Sequence, residues 1–316
     1  MGTYLAKRLL LTFPVLVGVS LLVFMMIRIV PGDIVDLMIG SELYVSADYR
    51  AELRAKYGLD KPIYIQYVNW VAQIVQGNFG ISLRNNEPVL GTILRRLPLT
   101  AELALLSVLL SAIVAVPLGV ISAVKQNSAT DFVVRLTAMV GLSMPNFWLA
   151  AMLLLVTGVV FHWQPSLLLA PPWVDPWTNL QQMAMPVVAL SLALMAIVMR
   201  MTRSSILEVL RQEYIQTARA KGLVPSAIMV RHALKNAFIP IVTVLGVQLG
   251  ALLGGTVVIE VIFGLPGLGR LVIDAISARD YPMLQGTVLF IATMFALVNL
   301  LVDMTYAYLD PRIRYA

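Results

Sequence analysis

Few residues in this sequence have the types and spacing that chemistry requires. The densest glycine cluster, Gly-Leu-Pro-Gly-Leu-Gly at 264–269, lacks the lysine of a phosphate-binding loop, so a tight turn is the better interpretation. Neither His-Glu-x-x-His nor Gly-x-Ser-x-Gly occurs, and His162 and His232 fall on opposite sides of the predicted membrane. The chain has no cysteine, which removes disulfides and thiolate ligands. The sequence thus predicts no catalytic residue, no metal site and no enzymatic role.

Ionisable residues near apolar segments are the other candidates for chemistry. Arg28, Glu102, Glu260 and Asp303 would mark an ion path in a secondary transporter or channel. Each lies within about two turns of the end of a segment, where snorkelling or a local ion pair is the ordinary explanation. For Asp303, the deepest, we predict pairing with a basic residue near the inner membrane face. A self-powered carrier is the alternative that this pattern favours less.

The composition predicts an all-α integral membrane protein. Of 316 residues, 59% are hydrophobic and 13% charged, with a mean hydropathy of +0.84, which exceeds what a soluble core of this size needs. A spanning helix takes about 20 apolar residues. The net charge of +6 reports which loops stay in the cytoplasm, not a nucleic-acid partner. Six runs of spanning length are predicted, at 9–30, 103–124, 136–161, 183–201, 237–263 and 284–308.

Basic residues in the short connections set the orientation. Thirteen lie on the side of the two termini, and only Arg270 and Arg279 lie on the other, so both termini are predicted to be cytoplasmic. The segment 31–98 is long enough to be exported regardless of its charge. We therefore divide the chain into a tail and first span (1–30), an extracytoplasmic helical insertion (31–98) and a core with five spans (99–316). The expected location is the cell (inner) membrane of a prokaryote.

Within the insertion, two helices are predicted. Ser46 and Asp48 open an amphipathic segment that Gly58 ends. A second helix is predicted over 62–76.

The longest cytoplasmic connection, 200–236, is too patterned to be a simple linker. Apolar residues recur at three- and four-residue intervals from Ile206 to Ala218, which predicts a helix over 207–221. Gly222 then makes a sharp corner, and Pro225 begins a second helix that leads into span five. The result is a helical hairpin presented to the cytoplasm.

Two kinds of partner fit this hairpin. An anionic lipid surface would suit Arg211, Arg219 and Lys221. A protein surface is favoured by the small residues Ala218 and Ala220, together with Gly222, because they permit close approach.

The hairpin also resembles a known family. Residues 213–222 read Glu-Tyr-Ile-Gln-Thr-Ala-Arg-Ala-Lys-Gly, and 231–240 read Arg-His-Ala-Leu-Lys-Asn-Ala-Phe-Ile-Pro. This resembles the coupling loop of binding-protein-dependent ABC importer permeases, in the form seen in the peptide and nickel branch. The general pattern begins Glu-Ala-Ala, whereas Gln216-Thr217-Ala218 stands here, a departure that suits the peptide branch. Further similar segments lie at 30–33, 57–60 with Pro62, 77–80, 260–269, Asp303 with Tyr306, and 310–314.

The resemblance implies a type I importer permease fold and a set of partners. These are a second homologous permease subunit, one or two cytoplasmic ABC ATPases that bind ATP and Mg, and an extracytoplasmic substrate-binding protein. No cofactor would be bound by this chain. The implied cargo is dipeptides or short oligopeptides, with nickel complexes, glutathione or oligosaccharides as alternatives. The implied ATPase-coupling residues are Glu213, Tyr214, Thr217, Ala218, Arg219, Ala220, Lys221 and Gly222.

Polar and small residues within the spans are the remaining candidates. Ser143, Asn146 and Gln248 are predicted to face a translocation pathway. Four glycines of span five allow close helix contact, either with a partner permease or by ordinary packing within this subunit; they are Gly246, Gly250, Gly254 and Gly255. Pro145, Pro186 and Pro240 mark kinks or span starts.

Overall fold

A computed structural model describes residues 2–29, 46–56, 58–166 and 169–309. Within these ranges the regular structure is helical, apart from one isolated bridge between Ile81 and Pro88. The similar segments at 30–33 and 310–314, and Tyr57, lie outside the described residues. The helices are α1 (Gly2–Ile29), α2 (Ala47–Lys56), α3 (Ile63–Val75), α4 (Val89–Val124), α5 (Ala129–Ser143), α6 (Asn146–Val159), α7 (Pro176–Leu210), α8 (Glu213–Ala220), α9 (Lys235–Gly255), α10 (Val257–Ile262), α11 (Leu268–Ser277) and α12 (Tyr281–Leu309).

Among the described residues, four helical segments are long and apolar enough to cross a bilayer: α4, α7, the continuous stretch that ends as α9, and α12. The pair α5 and α6 makes a fifth crossing if it counts as one broken span. Helix α1 contributes a shorter apolar stretch, Leu10–Met26. These six segments correspond in order to the six predicted spans.

The third predicted span, 136–161, is broken near Pro145, which the sequence predicts as a kink or span start. It breaks after Ser143, and α6 leaves at 96° to α5. Proline disfavours helical dihedrals in the residue before it, and Met144 is accordingly extended, with φ −88° and ψ 119°. Pro145 therefore begins α6 as its N-cap. Pro186 and Pro240 lie inside helices instead.

Two other predicted boundaries shift. Helix α4 begins at Val89, so Pro98, where we ended the outer insertion, lies inside a helix of about 54 Å. The fifth span ends at Gly255, and α10 follows as a separate short helix. The outer end of α4 is tied to the corner before α12, because the hydroxyl of Ser82 donates to Asp280.

The glycines of α9 serve packing within this chain. A Cβ at Gly246 would overlap Val302 of α12, and one at Gly250 would lie 3.3 Å from Asn299 and Phe295. Gly254 faces Ile291. Of the two interpretations left open by the sequence, the contact with α12 accounts for these three residues.

The main interface joins α4 to α7. Buried residues of both helices form an outer cluster around Leu103 and Leu190 and an inner cluster around Ala115 and Met199. At Gly119 the helices approach so closely that a Cβ would lie 2.6 Å from Thr202. Glycine is required there because no side chain fits.

Helix α1 packs antiparallel beside α12. Arg8 forms the predicted ion pair with Asp303, at 3.0 Å between Nη1 and Oδ2. The prediction for Asp303 is confirmed. The pair also places the start of α1 and the end of α12 on the same side.

Both predicted helices of the insertion form. The amide of Tyr49 donates to Ser46 Oγ at 3.2 Å, which is the predicted cap, and Gly58 has φ +65°. Helix α3 then packs on α1, where Tyr67 and Trp70 contact the ring of Phe24.

Candidate functional site: the cytoplasmic hairpin and its supports

The hairpin begins later than its apolar period suggested. Helix α7 continues to Leu210, and the chain turns at Arg211 and Gln212 before α8 begins at Glu213. The predicted single helix over 207–221 is therefore wrong at its start. The periodicity could not reveal the turn, because Leu210 before it and Ile215 after it pack into the same cluster.

The corner of the hairpin is the one that we predicted. Gly222 has φ +77°, and the amide of Leu223 donates to the carbonyl of Ala218 at 3.3 Å, which closes the end of α8. No atom lies within 4 Å of a Cβ built at Gly222, so its dihedral and not its size requires glycine.

The second helix of the hairpin starts at Pro225, as predicted, but then widens. Residues Ile228–Leu234 form a π-helix before α9 continues. Such wide turns are rare and occur often at functional positions. The side-chain Nδ2 of Asn236 donates to the hydroxyl of Tyr214 at 3.0 Å and to the backbone carbonyl of His232 at 2.8 Å. The bond to Tyr214 connects α8 to the first turn of α9.

The eight predicted coupling residues do not all face outward. Ile215 and Ala218 are buried against Ile228 in the interior of the hairpin. The small size of Ala218 thus accommodates packing within this chain, whereas we expected it to admit another surface. The other seven coupling residues are exposed: Glu213, Tyr214, Thr217, Arg219, Ala220, Lys221 and Gly222.

A charged network joins three helices close to the end of α7, from which the hairpin begins. The fully buried carboxylate of Asp131, in the first turn of α5, accepts two hydrogen bonds from Arg203 of α7, from Nε at 2.8 Å and Nη2 at 2.9 Å. It also accepts from Ser122 Oγ of α4 at 2.6 Å and from the amide of Asn127 at 3.0 Å. Three helices are therefore joined about two turns before α7 ends.

Sequence reasoning missed this network. In the sequence, Arg203 is one of the thirteen basic residues that set the predicted orientation, and nothing marks it as a partner of a carboxylate. Asp131 resembles an ordinary acidic residue in the first turn of a helix, after its cap, Ser128. The partners are 72 positions apart, so no local spacing connects them.

A second buried carboxylate, that of Glu260, binds α4 at Thr100, about three turns inside the outer end of the helix. Glu260 accepts hydrogen bonds from the hydroxyls of Thr100 and Thr256, each at 2.8 Å, and from the amide of Arg270 at 2.9 Å. Thr100 in turn accepts from the amide of Leu268 at 2.8 Å. Among the described residues no basic side chain lies within ion-pair distance of Glu260, so the expected ion pair or snorkelling is wrong there.

The glycine cluster at 264–269 wraps around this carboxylate. Gly264 has φ +68°, as in a tight turn, and a Cβ at Gly267 would overlap the carboxylate of Glu260. The cluster's amides at Leu268 and Arg270 are already used by Thr100 and Glu260. The turn interpretation therefore accounts for this segment.

Two of the three predicted pathway residues flank the break in the third span. Ser143 ends α5, where its hydroxyl donates to the carbonyl of Met139 at 2.9 Å, and Asn146 begins α6. Gln248 lies partly exposed in the middle of α9. Broken helices in transporters often surround substrate sites. A pathway role for these residues stays a prediction.

Comparison with known families decides the class of protein. The sequence model of a family described as "Binding-protein-dependent transport system inner membrane component" matches residues 115–315. The model of its N-terminal region matches residues 1–104. The chain belongs to this family. It is a multi-pass transport component of the inner membrane.

Full-length relatives place the permease more finely. It is 38% identical to "Dipeptide transport system permease protein DppB" of Alkalihalophilus pseudofirmus, over 100% of both chains. It is 40% identical to "Di/tripeptide transport system permease protein DppB" of Pseudomonas aeruginosa, over 100% of this chain and 99% of that one. "Oligopeptide transport system permease protein AppB" of Bacillus subtilis is 37% identical over 100% of both chains.

Solved structures share the fold of the permease. Inward-facing MetNI methionine ABC transporter matches with a TM-score of 0.55 at 17% identity, covering 69% of this chain and 96% of that one. An amino acid ABC transporter with histidines matches with a TM-score of 0.50 at 18% identity, covering 70% and 94%. The predicted type I importer permease fold is confirmed.

Proposed function

We propose that this chain is a permease subunit of an ATP-driven importer of dipeptides or short oligopeptides. The observation that carries the proposal is its full-length identity of 37–40% to relatives that are named for dipeptide, di/tripeptide and oligopeptide transport. Nickel complexes, glutathione and oligosaccharides are the cargoes that these names do not favour. The chain would form half of the pathway, beside a second homologous permease.

Energy would enter through the exposed face of α8. One or two separate ABC ATPases would hold ATP and Mg, and an extracytoplasmic substrate-binding protein would deliver the cargo. Helix α8 is short, and its terminal charges suit its dipole, with Glu213 at the start and Arg219 near the end. A partner that grips this helix would move it as a rigid body.

The supports of α8 would carry that movement into the membrane. Ile215 and Ala218 join α8 to the end of α7, and Tyr214 joins it to the stem of α9 through Asn236. The ion pair of Asp131 with Arg203 then joins α7 to α4 and α5. A displacement of α8 would therefore move the inner ends of the helices linked to it, which are α7, α9, α4 and α5.

The docking face is tested by a bulky substitution that leaves the hairpin intact. Ala220→Trp places a large side chain on the exposed face of α8, away from the buried pair. In vesicles that contain the whole importer, we expect ATP-driven dipeptide uptake to fall by at least about tenfold, the effect of disturbing an interface hot spot. Gln126→Trp, on an exposed neighbouring cytoplasmic loop, is the control and should retain uptake. Normal uptake with Ala220→Trp would reject docking through this face.

The cargo is tested separately. Vesicles loaded with ATP and supplied with the binding protein should accumulate a labelled dipeptide, and excess unlabelled dipeptide should abolish the signal. Uptake of a nickel complex or glutathione without competition by dipeptide would reject the peptide assignment while leaving the importer class intact.

A further inference from the structure

Helix α3, which belongs to the predicted extracytoplasmic insertion, has three distinct faces. One face packs on α1 through Tyr67 and Trp70. A second face is polar and carries Gln66, Asn69 and Gln73. The third is apolar and solvent-exposed in the isolated chain.

The apolar face is continuous along the helix. Its members follow helical spacing, and the larger ones are among the most exposed apolar side chains of the chain: Tyr64 at 69%, Val68 at 61% and Val75 at 81%, with Ala72 between them. By helical geometry this stripe lies about 140° from the polar face and about 125° from the α1 contact, so the three faces are spaced almost evenly around the helix. That arrangement is typical of a helix that lies in a membrane interface.

The contacts of α3 with α1 set its depth. Arg8, paired with Asp303, marks the inner membrane boundary, and Arg28 lies about 30 Å farther along α1, which is the thickness of the hydrocarbon core. The guanidinium of Arg28 donates to Gln66 of α3. The hydroxyl of Tyr67 bonds Ser20 at 2.8 Å, and Ser20 lies about 12 Å below Arg28. Helix α3 therefore lies at the outer boundary and reaches into the outer leaflet.

The composition of α3 agrees with this depth. Helix α3 contains no charged residue, whereas α2, which precedes it, carries charges at Asp48, Arg50, Glu52, Arg54 and Lys56. Because it has no charged side chain, α3 loses little hydration free energy when its apolar face leaves water. It also lacks the lysines and arginines that would attract anionic headgroups.

We propose that α3 lies in the plane of the outer leaflet and rests its apolar stripe, Tyr64, Val68, Ala72 and Val75, on lipid acyl chains. The occupant is lipid because the stripe lies at the depth of exposed apolar side chains of α1, Leu21 and Met25, which flank the α1 residues that contact α3. The contact is hydrophobic, so neutral lipid suffices. The described part of the insertion is thereby anchored in the membrane beside α1 through α3, whereas the charged helix α2 stands in water.

The absence of cysteine allows a direct test. Nitroxide labels are placed singly at Val68→Cys and Val75→Cys, and at Asn69→Cys and Gln73→Cys as matched controls on the polar face. The assembled importer is reconstituted in phosphatidylcholine vesicles, and collisions with oxygen are compared with collisions with a water-soluble nickel chelate. We expect the oxygen-to-chelate ratio to be several-fold higher at the two valine positions. The same pattern should persist when anionic lipid is added.

Three results would overturn the proposal. Equal chelate access at all four positions would place α3 in water. Shielding of the valine positions from both reagents would mean that protein covers the stripe. Shielding that arises only when the substrate-binding protein is added would identify a docking surface instead. Because the measurement needs no transport, a failure of the cargo assignment would leave its outcome unaffected.

Discussion

Two buried carboxylates bind α4 at two levels, one near its inner end and one in its outer third, and they do so with different chemistry. At the inner end, Asp131 is neutralised by the paired hydrogen bonds of Arg203 and receives Ser122. At the outer end, Glu260 is surrounded by hydroxyls and an amide. The α4 residues that contact them, Ser122 and Thr100, are about 33 Å apart along the helix.

The two carboxylates therefore have different structural roles. Asp131 links separate helices, whereas Glu260 stabilises a compact turn. The inner pair connects elements that are far apart in sequence, and its bidentate geometry fixes their relative orientation. The outer network connects α4 to a compact turn whose glycines shape the site around Glu260. We infer that the inner end transmits movement, whereas the outer end keeps its shape.

The largest effect is expected from breaking the inner ion pair on one side. Arg203→Ala removes the bidentate partner of a buried carboxylate and leaves only the half-exposed Arg135 nearby, and breaking a buried pair on one side typically costs about 3–5 kcal/mol of stability. Arg135→Ala is the control, since Arg135 is half exposed and 3.5 Å from the same carboxylate, and it should cost about 1 kcal/mol or less. Unfolding in detergent, followed by circular dichroism, measures both.

The double variant Asp131→Ala with Arg203→Ala sharpens this prediction. Removing both charges should recover much of the stability that Arg203→Ala loses. If uptake stays low while stability returns, the pair is needed for transmission as well as for folding. Recovery of both together would reduce the pair to a structural role.

A smaller loss is expected at the outer end. Glu260→Gln keeps the shape but replaces one acceptor oxygen by a donor, which faces the hydroxyl and amide donors already present. The expected cost is about 1–3 kcal/mol, the penalty of leaving buried polar groups unpaired. A loss larger than that of Arg203→Ala in the same unfolding assay would reverse the proposed difference between the two ends.

A still smaller effect is expected at the corner of the hairpin. Gly222→Ala should cost about 1–2 kcal/mol because of the left-handed dihedral, and Gly222→Asn should cost less. Limited proteolysis of the hairpin, together with uptake, measures the change. Equal losses for alanine and asparagine would show that space and not the dihedral requires glycine.

The smallest effect concerns the outer cap of α7. Hydrogen bonds from the hydroxyl and the amide of Thr178 hold the pKa of Asp175 below its usual value. A lowered pKa in the folded state means that the stabilisation is present at neutral pH and is lost as the pH falls through that pKa. The Tm advantage of the natural chain over Asp175→Asn should therefore shrink between about pH 5 and pH 3. A constant difference across this range would contradict the capping role.

Local signals predicted much of the site, and distant contacts did not. Gly222 and Pro225 predict the corner and the start of the second helix, and Ser46 predicts the cap of α2. Each of these residues determines the conformation or hydrogen bonding of the backbone next to it in sequence, so its effect can be predicted locally. The turn at Arg211 was hidden, since the apolar period resumes beyond it in the same cluster. The ion pair of Asp131 with Arg203 depends on how α5 and α7 pack, which no short pattern encodes.

The spans show the same division. Length and composition located all six apolar segments, whereas the orientation assigned from charge stays a prediction. Pro145 was predicted to mark a kink or span start, but the sequence could not show that the bend is as large as 96° there, while other prolines in this chain remain inside helices.

The most direct test of the account is a cross-link from the exposed face of α8. Thr217→Cys introduces the only thiol of the chain, on the exposed side of the hairpin. A short maleimide cross-linker is added to the native membrane, and the adducts are purified and identified by mass spectrometry. We predict an adduct with an ABC ATPase, recovered together with a second permease. Recovery of this chain alone, or linked only to copies of itself, under conditions that preserve other importers, would contradict coupling through α8.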